Sequence, residues 1–201
     1  DIRKAMQVYF RWRLGTAQAD HLAGWLDTRS IQKTPEYLSE GEVEKLYRHC
    51  RSPGERFLIA VLFDSGARAE EFCNIRFEDI QLPTGTTNHV KLTLKEEYSK
   101  TKGRVIGLYW RHSLEAVSEF LKQRQAQGIR SDEPVFDRGY DASRQFLRRF
   151  GKRVLDKAVY YHLFRHSSAT HYAKSLSRYQ LCYRFGWRYA SGMPDTYISR
   201  A

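Results

Sequence analysis

Cysteine is scarce in this chain and poorly placed for cross-linking. Cys50, Cys73 and Cys182 lie far apart, are odd in number and form no CxxC pair. Such a set supports neither a disulfide framework nor a zinc site, and reads as buried thiols in a reducing compartment. No apolar run approaches transmembrane length and no signal peptide opens the chain, so a membrane partner is not expected. The histidines include no HExxH pair and no Asp/Glu cluster flanks them, which argues against a metallohydrolase. A glycine-rich phosphate loop for ATP is also missing, as are internal repeats and low-complexity tracts. Acidic residues are outnumbered, with 23 Asp and Glu against 34 Lys and Arg. The first residue is Asp1, not Met, as expected of a fragment or a processed chain.

What is present describes a folded, basic protein. Hydrophobic residues make up 41% and aromatic residues 14% of 201 residues, enough for one good core with a small accessory lobe. The formal charge of +11 and a pI near 9.7 suggest a polyanionic partner, nucleic acid first. That charge is spread through helices and loops rather than gathered in a tail.

Residues 4–14, KAMQVYFRWRL, have a helical pattern, and Leu22, Trp25 and Leu26 follow after Gly15. The polar stretch 27–36 reads as a linker. We therefore expect 1–34 to be a trailing helix and linker from a preceding domain, and 35–201 to be the main domain. Ser39 with Glu42 forms a capping box for a helix whose apolar face is Val43, Leu46, Tyr47 and Cys50. Ser52 and Pro53 open another, with Phe57 to Phe63 as its core stretch and Asp64-Ser65-Gly66 as its end. Arg68 leads a short helix carrying Glu71, Phe72 and Ile75. Residues 89–95 and 104–109 alternate as strands joined by a hairpin that closes through Gly103. Helices return at 113–127, with Leu114, Val117, Phe120 and Leu121 on one face, and at about 141–155 with Asp141 as N-cap. Leu181, Cys182 and Phe185 mark one more before Gly186, and the tail is broken by Gly192 and Pro194. The pattern gives an α+β fold, mainly α-helical, with a small antiparallel sheet on one side.

The densest polar chemistry is HLFRHSSATHYA at 162–173. Arg165 offers a rigid fork of donors suited to phosphate, and a helix N-terminus adds free N–H groups for the same anion. His162 and His166, at i and i+4, could equally form a plain polar helix face.

Four elements in order decide between these readings: SGARAEEFCNI at 65–75, SKTKGRV at 99–105, HLFRH at 162–166, and FGWRYASGMPDTY ending at Tyr197. Together they resemble the tyrosine recombinase (phage-type integrase) family, whose signatures are G-x-R-x-x-E, a hairpin lysine, H-x-x-R-H, L-G-[HW] and a later tyrosine. The MPDTYIS tail looks most like the archaeal branch, and the resemblance covers roughly 35–201. It implies a site-specific DNA recombinase, an integrase or excisionase-type enzyme, that cuts through a 3′-phosphotyrosine. In that scheme Tyr197 is the nucleophile, and Arg68 and Arg165 hold the non-bridging phosphate oxygens. Lys100, with Lys102 as runner-up, protonates the leaving 5′-oxygen. His162 handles protons. Trp187 stands where many relatives have a second histidine, able to donate one N–H but not to transfer protons. Glu71 orients a neighbour, and His166 and His171 stay outside the catalytic set. The resemblance further implies double-stranded DNA as partner, a homotetramer at synapsis, a location in the cell interior with the nucleoid, and no metal, ATP or other cofactor. A type IB topoisomerase-like nicking-closing enzyme and an inactive DNA-binding module of the same fold are the rival readings. The chain stops four residues after Tyr197, so a C-terminal segment passed to a neighbouring subunit is not expected within it.

Overall fold

The structure, a computed structural model, describes residues 2–26, 35–85 and 87–199. The linker expected over 27–36 therefore falls mostly outside the described residues. The chain divides into two compact units, Asp1–Pro35 and Glu36–Ala201. In the first, α1 (Ile2–Leu14) and α2 (Thr16–Ala23) fold about Gly15 into a helical hairpin. The Gln7 amide donates to the carbonyls of Ala23 (3.3 Å) and Leu26 (3.1 Å), and Arg11 pairs with Asp20 at 3.1 Å. Ala19 and Ala23 are buried, whereas Val8, Trp12 and Trp25 are largely exposed.

The second unit is built around one helix. α3 (Glu40–Arg48) begins with the expected capping box: the Glu42 carboxylate accepts from the Ser39 N–H at 2.9 Å, and the Ser39 hydroxyl accepts from the Glu42 N–H at 3.3 Å. Caps of this kind contribute about 1 kcal/mol. α4 (Pro53–Ser65), started by Ser52 and Pro53, is buried continuously from Phe57 to Ser65 and packs against α3 and two later helices, α6 (Ser113–Ala126) and α8 (Tyr161–Ala173). Phe57 meets Phe72, Phe120 and Phe136 at ring distances of 5.9, 4.7 and 6.2 Å. Burying each such ring is worth roughly 1.5–3 kcal/mol, so this cluster outweighs any single cap.

α5 (Ala69–Cys73) leads to a three-stranded antiparallel sheet of β1 (Ile80–Gln81), β2 (Val90–Leu94) and β3 (Arg104–Leu108), in that order. The short β1 is not evident from alternation, because two residues carry no period. Val90, Leu92 and Leu94 point inward, as do Ile106 and Leu108, and Leu94 pairs with Arg104 in the register. Arg104 thus stands on the core-facing side of its strand. The β2–β3 connection is not a regular hairpin, because a 3₁₀ turn at Glu96–Tyr98 and an irregular loop separate the strands.

α6 (Ser113–Ala126) buries Ser113, Ala116, Val117, Phe120 and Leu121, while Leu114 is 41% exposed. Leu114 loses its expected inward place because the Ser113 hydroxyl is drawn in to Asp64 at 2.5 Å. α7 (Tyr140–Leu155) is capped by Gly139, not Asp141. The helix starts early enough for Tyr140 to stack on Tyr161 at 5.6 Å, leaving Asp141 in the first turn where its charge suits the helix dipole. α8 (Tyr161–Ala173), α9 (Arg178–Phe185) and α10 (Met193–Ile198) complete the unit. Pro194 opens α10 rather than breaking the tail, since its missing N–H costs nothing in a first turn. Among the described residues no helix is long and apolar enough to cross a membrane.

Asp64, fully buried near the end of α4, ties these elements together. Its carboxylate accepts from the Trp110 N–H at 2.7 Å, from Ser113, from the Tyr172 hydroxyl, and from Arg184 at 3.0 Å. Arg184 also lies 3.8 Å above the Tyr172 ring. A buried ion pair that loses one partner leaves the other desolvated and unmatched. Asp64→Ala should therefore destabilise the second unit by about 3–5 kcal/mol, measured as a fall in the urea midpoint at unchanged m-value.

Candidate active site

Two helices end close together, and both end on a left-handed glycine. Gly66 (φ 59°) closes α4 and Gly186 (φ 60°) closes α9. A side chain at Gly66 would put its Cβ 2.3 Å from the Phe185 ring, and one at Gly186 would sit 2.6 Å from the Thr101 hydroxyl, so only glycine fits both conformation and space. Their terminal carbonyls face inward onto guanidinium groups. Arg165, on the second turn of α8 and 4% exposed, donates to the Gly66 carbonyl at 2.8 Å and the Phe185 carbonyl at 2.5 Å. Arg104 donates through Nε to the Arg184 carbonyl at 2.9 Å. Helix C-termini carry partial negative charge, so these contacts hold buried cations without spending a carboxylate on each.

One carboxylate is present. Glu71, 1% exposed, accepts from both terminal nitrogens of Arg104 at 2.9 and 3.0 Å, from the Ser99 hydroxyl at 2.6 Å, and from the N–H (2.9 Å) and guanidinium (3.1 Å) of Arg68. Burial alone would raise its pKa; the bonds and charge of Arg104, the Ser99 hydroxyl and the Arg68 N–H outweigh that and pull it to about 2. Two guanidiniums pair with this one anion and Arg165 stands beside them on helix-end carbonyls, leaving two positive charges in excess within the group. The pKa of Arg165 is drawn down to about 9, by burial first and then by the like charge of Arg68. It remains cationic at neutral pH.

Above these groups lies an open groove of about 750 Å³, lined among others by Arg68, Lys100, Arg144, Tyr160, His162 and Arg165. Lys100 and Lys102 are both exposed on the irregular loop before β3, and only Lys100 lines the groove. The strand geometry that would have put both on one side is not formed there. His162 stands at the start of α8, its pKa lowered by burial and then by Arg165 and Arg68, which favours the neutral imidazole.

Trp187 and Tyr197 do not line the groove. Trp187 is sandwiched between Phe185 (4.8 Å) and Tyr197 (5.4 Å, planes within 5°), with the Arg165 guanidinium 5.7 Å from its ring. Tyr197 is 1% exposed, and its hydroxyl lies 2.5 Å from Nδ1 of His166. The structure thus brings Arg68, Lys100, His162 and Arg165 round one space and seats Trp187 and Tyr197 against Arg165 and His166. The sequence reading misses Arg104 and leaves His166 outside the catalytic set. An arginine at an inward strand position was the available signal for Arg104, and the i, i+4 relation to His162 was the signal for His166. Among the described residues no group of three or more His, Cys, Asp or Glu side chains is placed to hold a metal ion.

Residues 36–198 match the model of the phage integrase family. The chain belongs to that family. Among curated proteins it is 25% identical over 140 residues to the tyrosine recombinase XerA of Saccharolobus solfataricus, covering 69% of this chain and 43% of that protein. It is also 25% identical over 153 residues to the tyrosine recombinase XerC of Halalkalibacterium halodurans, covering 71% and 50%. The chain thus spans half or less of the length of these curated relatives. Among solved structures, a XerA recombinase superposes with a TM-score of 0.68 at 18% identity, covering 97% of this chain and 68% of that one. A lambda integrase dimer bound to a COC′ core site gives 0.67 at 19%, covering 100% and 58%. At such identities the superpositions show the fold, a tyrosine recombinase catalytic domain.

Glu71 sets an acid dependence that can be measured. Its folded pKa is depressed, so its contribution is complete above the ordinary carboxylate value of 4.5 and is lost as pH falls through about 2. The size is on the order of 3 kcal/mol for a fully buried group. Glu71→Gln should be less stable at neutral pH, and its unfolding free energy should fall less steeply than that of the unchanged protein between pH 4.5 and 2.

Proposed function

We propose that this chain is the strand-cutting and rejoining part of a site-specific DNA recombinase that acts through a 3′-phosphotyrosine. The observation that carries this reading is the excess positive charge of Arg68, Arg104 and Arg165 over the single carboxylate of Glu71, under a groove that also receives Lys100 and His162. A backbone phosphate is an anion of matching charge, and the two guanidiniums can grip its non-bridging oxygens as charge builds in the pentavalent transition state. Tyr197 attacks phosphorus, the 5′-oxygen leaves, and Lys100 supplies the proton that oxygen takes. Reversal by a 5′-hydroxyl rejoins the strand, so the energy of the broken bond is kept and no ATP is consumed. His162 faces the phosphate, and Trp187 braces Arg165 and the Tyr197 ring.

Residues 35–201 form the catalytic domain in this reading, and 1–34 are the trailing helix and linker of a core-binding domain. Double-stranded DNA is the partner. Related structures include XerH bound to its difH substrate and a lambda integrase tetramer bound to a Holliday junction, which supports a homotetramer on DNA at synapsis. Such a protein works in the cell interior, at the nucleoid.

The test is covalent capture. Nicked duplexes from a randomised pool trap a phosphotyrosine because the short 5′-end diffuses away, and the adducted sequence is then recovered and resynthesised. The protein should form an adduct that maps to Tyr197 and disappears in Tyr197→Phe. Lys100→Ala should slow adduct formation about 10²–10⁴-fold, and a bridging 5′-sulfur, which needs no proton to leave, should restore it. Lys102→Ala should stay near the original rate. No adduct, or one that persists in Tyr197→Phe, would sink the reading.

A further inference from the structure

We infer that His166, rather than His162, is the base that takes the phenol proton of Tyr197. This rests on the function proposed above and assigns a role within it. The separation of 2.5 Å between His166 Nδ1 and the Tyr197 oxygen leaves room for one hydrogen and nothing else. In the neutral tautomer protonated on Nε2, His166 presents a lone pair to that oxygen. The geometry is fixed from both sides. On one, His166 belongs to the interior of α8, flanked by the buried Arg165 and Ser167, and its carbonyl accepts from the Thr170 hydroxyl at 3.0 Å. On the other, Trp187 lies parallel to the Tyr197 ring and fixes its plane.

His162 is placed for different work. It lines the groove, and its ring stands edge-on to that of His166 at 4.4 Å. Among the described residues, the titratable and charged groups facing the pair include His162 on the same helix and Arg165, whose charge couples to Tyr197. The step balances as follows. The phenol O–H bond breaks, its proton passes to Nδ1 and gives an imidazolium, and the phenolate oxygen bonds to phosphorus as the P–O5′ bond breaks. On rejoining, the departing phenolate takes the same proton back. His162 is left to donate a hydrogen bond to the phosphate.

The experiment uses the recovered nicked duplex with a bridging 5′-sulfur, so that leaving-group protonation no longer limits the rate. His166→Asn keeps an amide near the Nδ1 position but accepts no proton. Single-turnover adduct formation should fall a hundredfold or more at pH 7, and should rise about tenfold per pH unit where the unchanged protein has levelled off. His162→Asn should keep the unchanged protein's pH profile. A His166→Asn rate close to the original, or a reduced rate with an unaltered pH profile, would overturn the assignment, the second marking a positioning role only. The unchanged protein gives an independent reading should the variant misfold: a rate limb titrating in the histidine range must persist with the sulfur substrate, and its absence counts against His166. An adduct-forming protein in which these results fail keeps the recombinase reading and loses the base; no adduct at all removes both.

Discussion

Arg68, Arg104 and Arg165 converge beneath one groove, and charges of one sign stay that close only because the Glu71 carboxylate lies among them and helix ends face them. Glu71 neutralises one charge and positions two groups, Arg104 by a bidentate contact and Arg68 through both main chain and side chain. Arg165 has no carboxylate. It hangs from the last carbonyls of α4 and α9, which accept from its two terminal nitrogens without cancelling its charge. A site built this way holds its cations in place yet keeps positive charge in excess, a condition suited to an incoming anion.

The arrangement reaches outward from there. α9 can present its Arg184 and Phe185 carbonyls only because it is anchored: the Arg184 side chain crosses to Asp64 at the end of α4 and to the Gly107 carbonyl at 2.9 Å in β3. Core, sheet and site are thus linked through one buried ion pair. The segment after α9 is held in turn by Arg178, which pairs with Asp195 and donates to the Ser191 carbonyl at 2.7 Å. That grip sets α10, and with it the Tyr197 ring between Trp187 and His166. Tyr197 is covered in this arrangement, so exposure of its oxygen depends on the position of a six-residue helix rather than on a side-chain rotation alone.

Local signals carried most of the fold. Caps at Ser39 and Ser52, the glycine stops at 66 and 186, and the alternation in β2 and β3 act over a few residues, and their physics is complete within the segment. Where a distant group competes, the local reading gives way. Leu114 yields the inner face of α6 to Ser113 because Asp64 attracts that hydroxyl, and α7 starts at Tyr140 because of Tyr161.

The same division runs through the site. Residue types and spacing by themselves determined the family motifs, the mainly helical fold with a small sheet, the positive charge and the candidate set from Arg68 to Tyr197. Only the tertiary structure decided which lysine of the hairpin loop reaches the groove, that Arg104 turns inward to share Glu71, and that His166 meets the phenol. Those outcomes depend on distances between residues up to 80 positions apart, and a hydrogen bond is made or lost over a few tenths of an ångström that no pattern along the chain encodes.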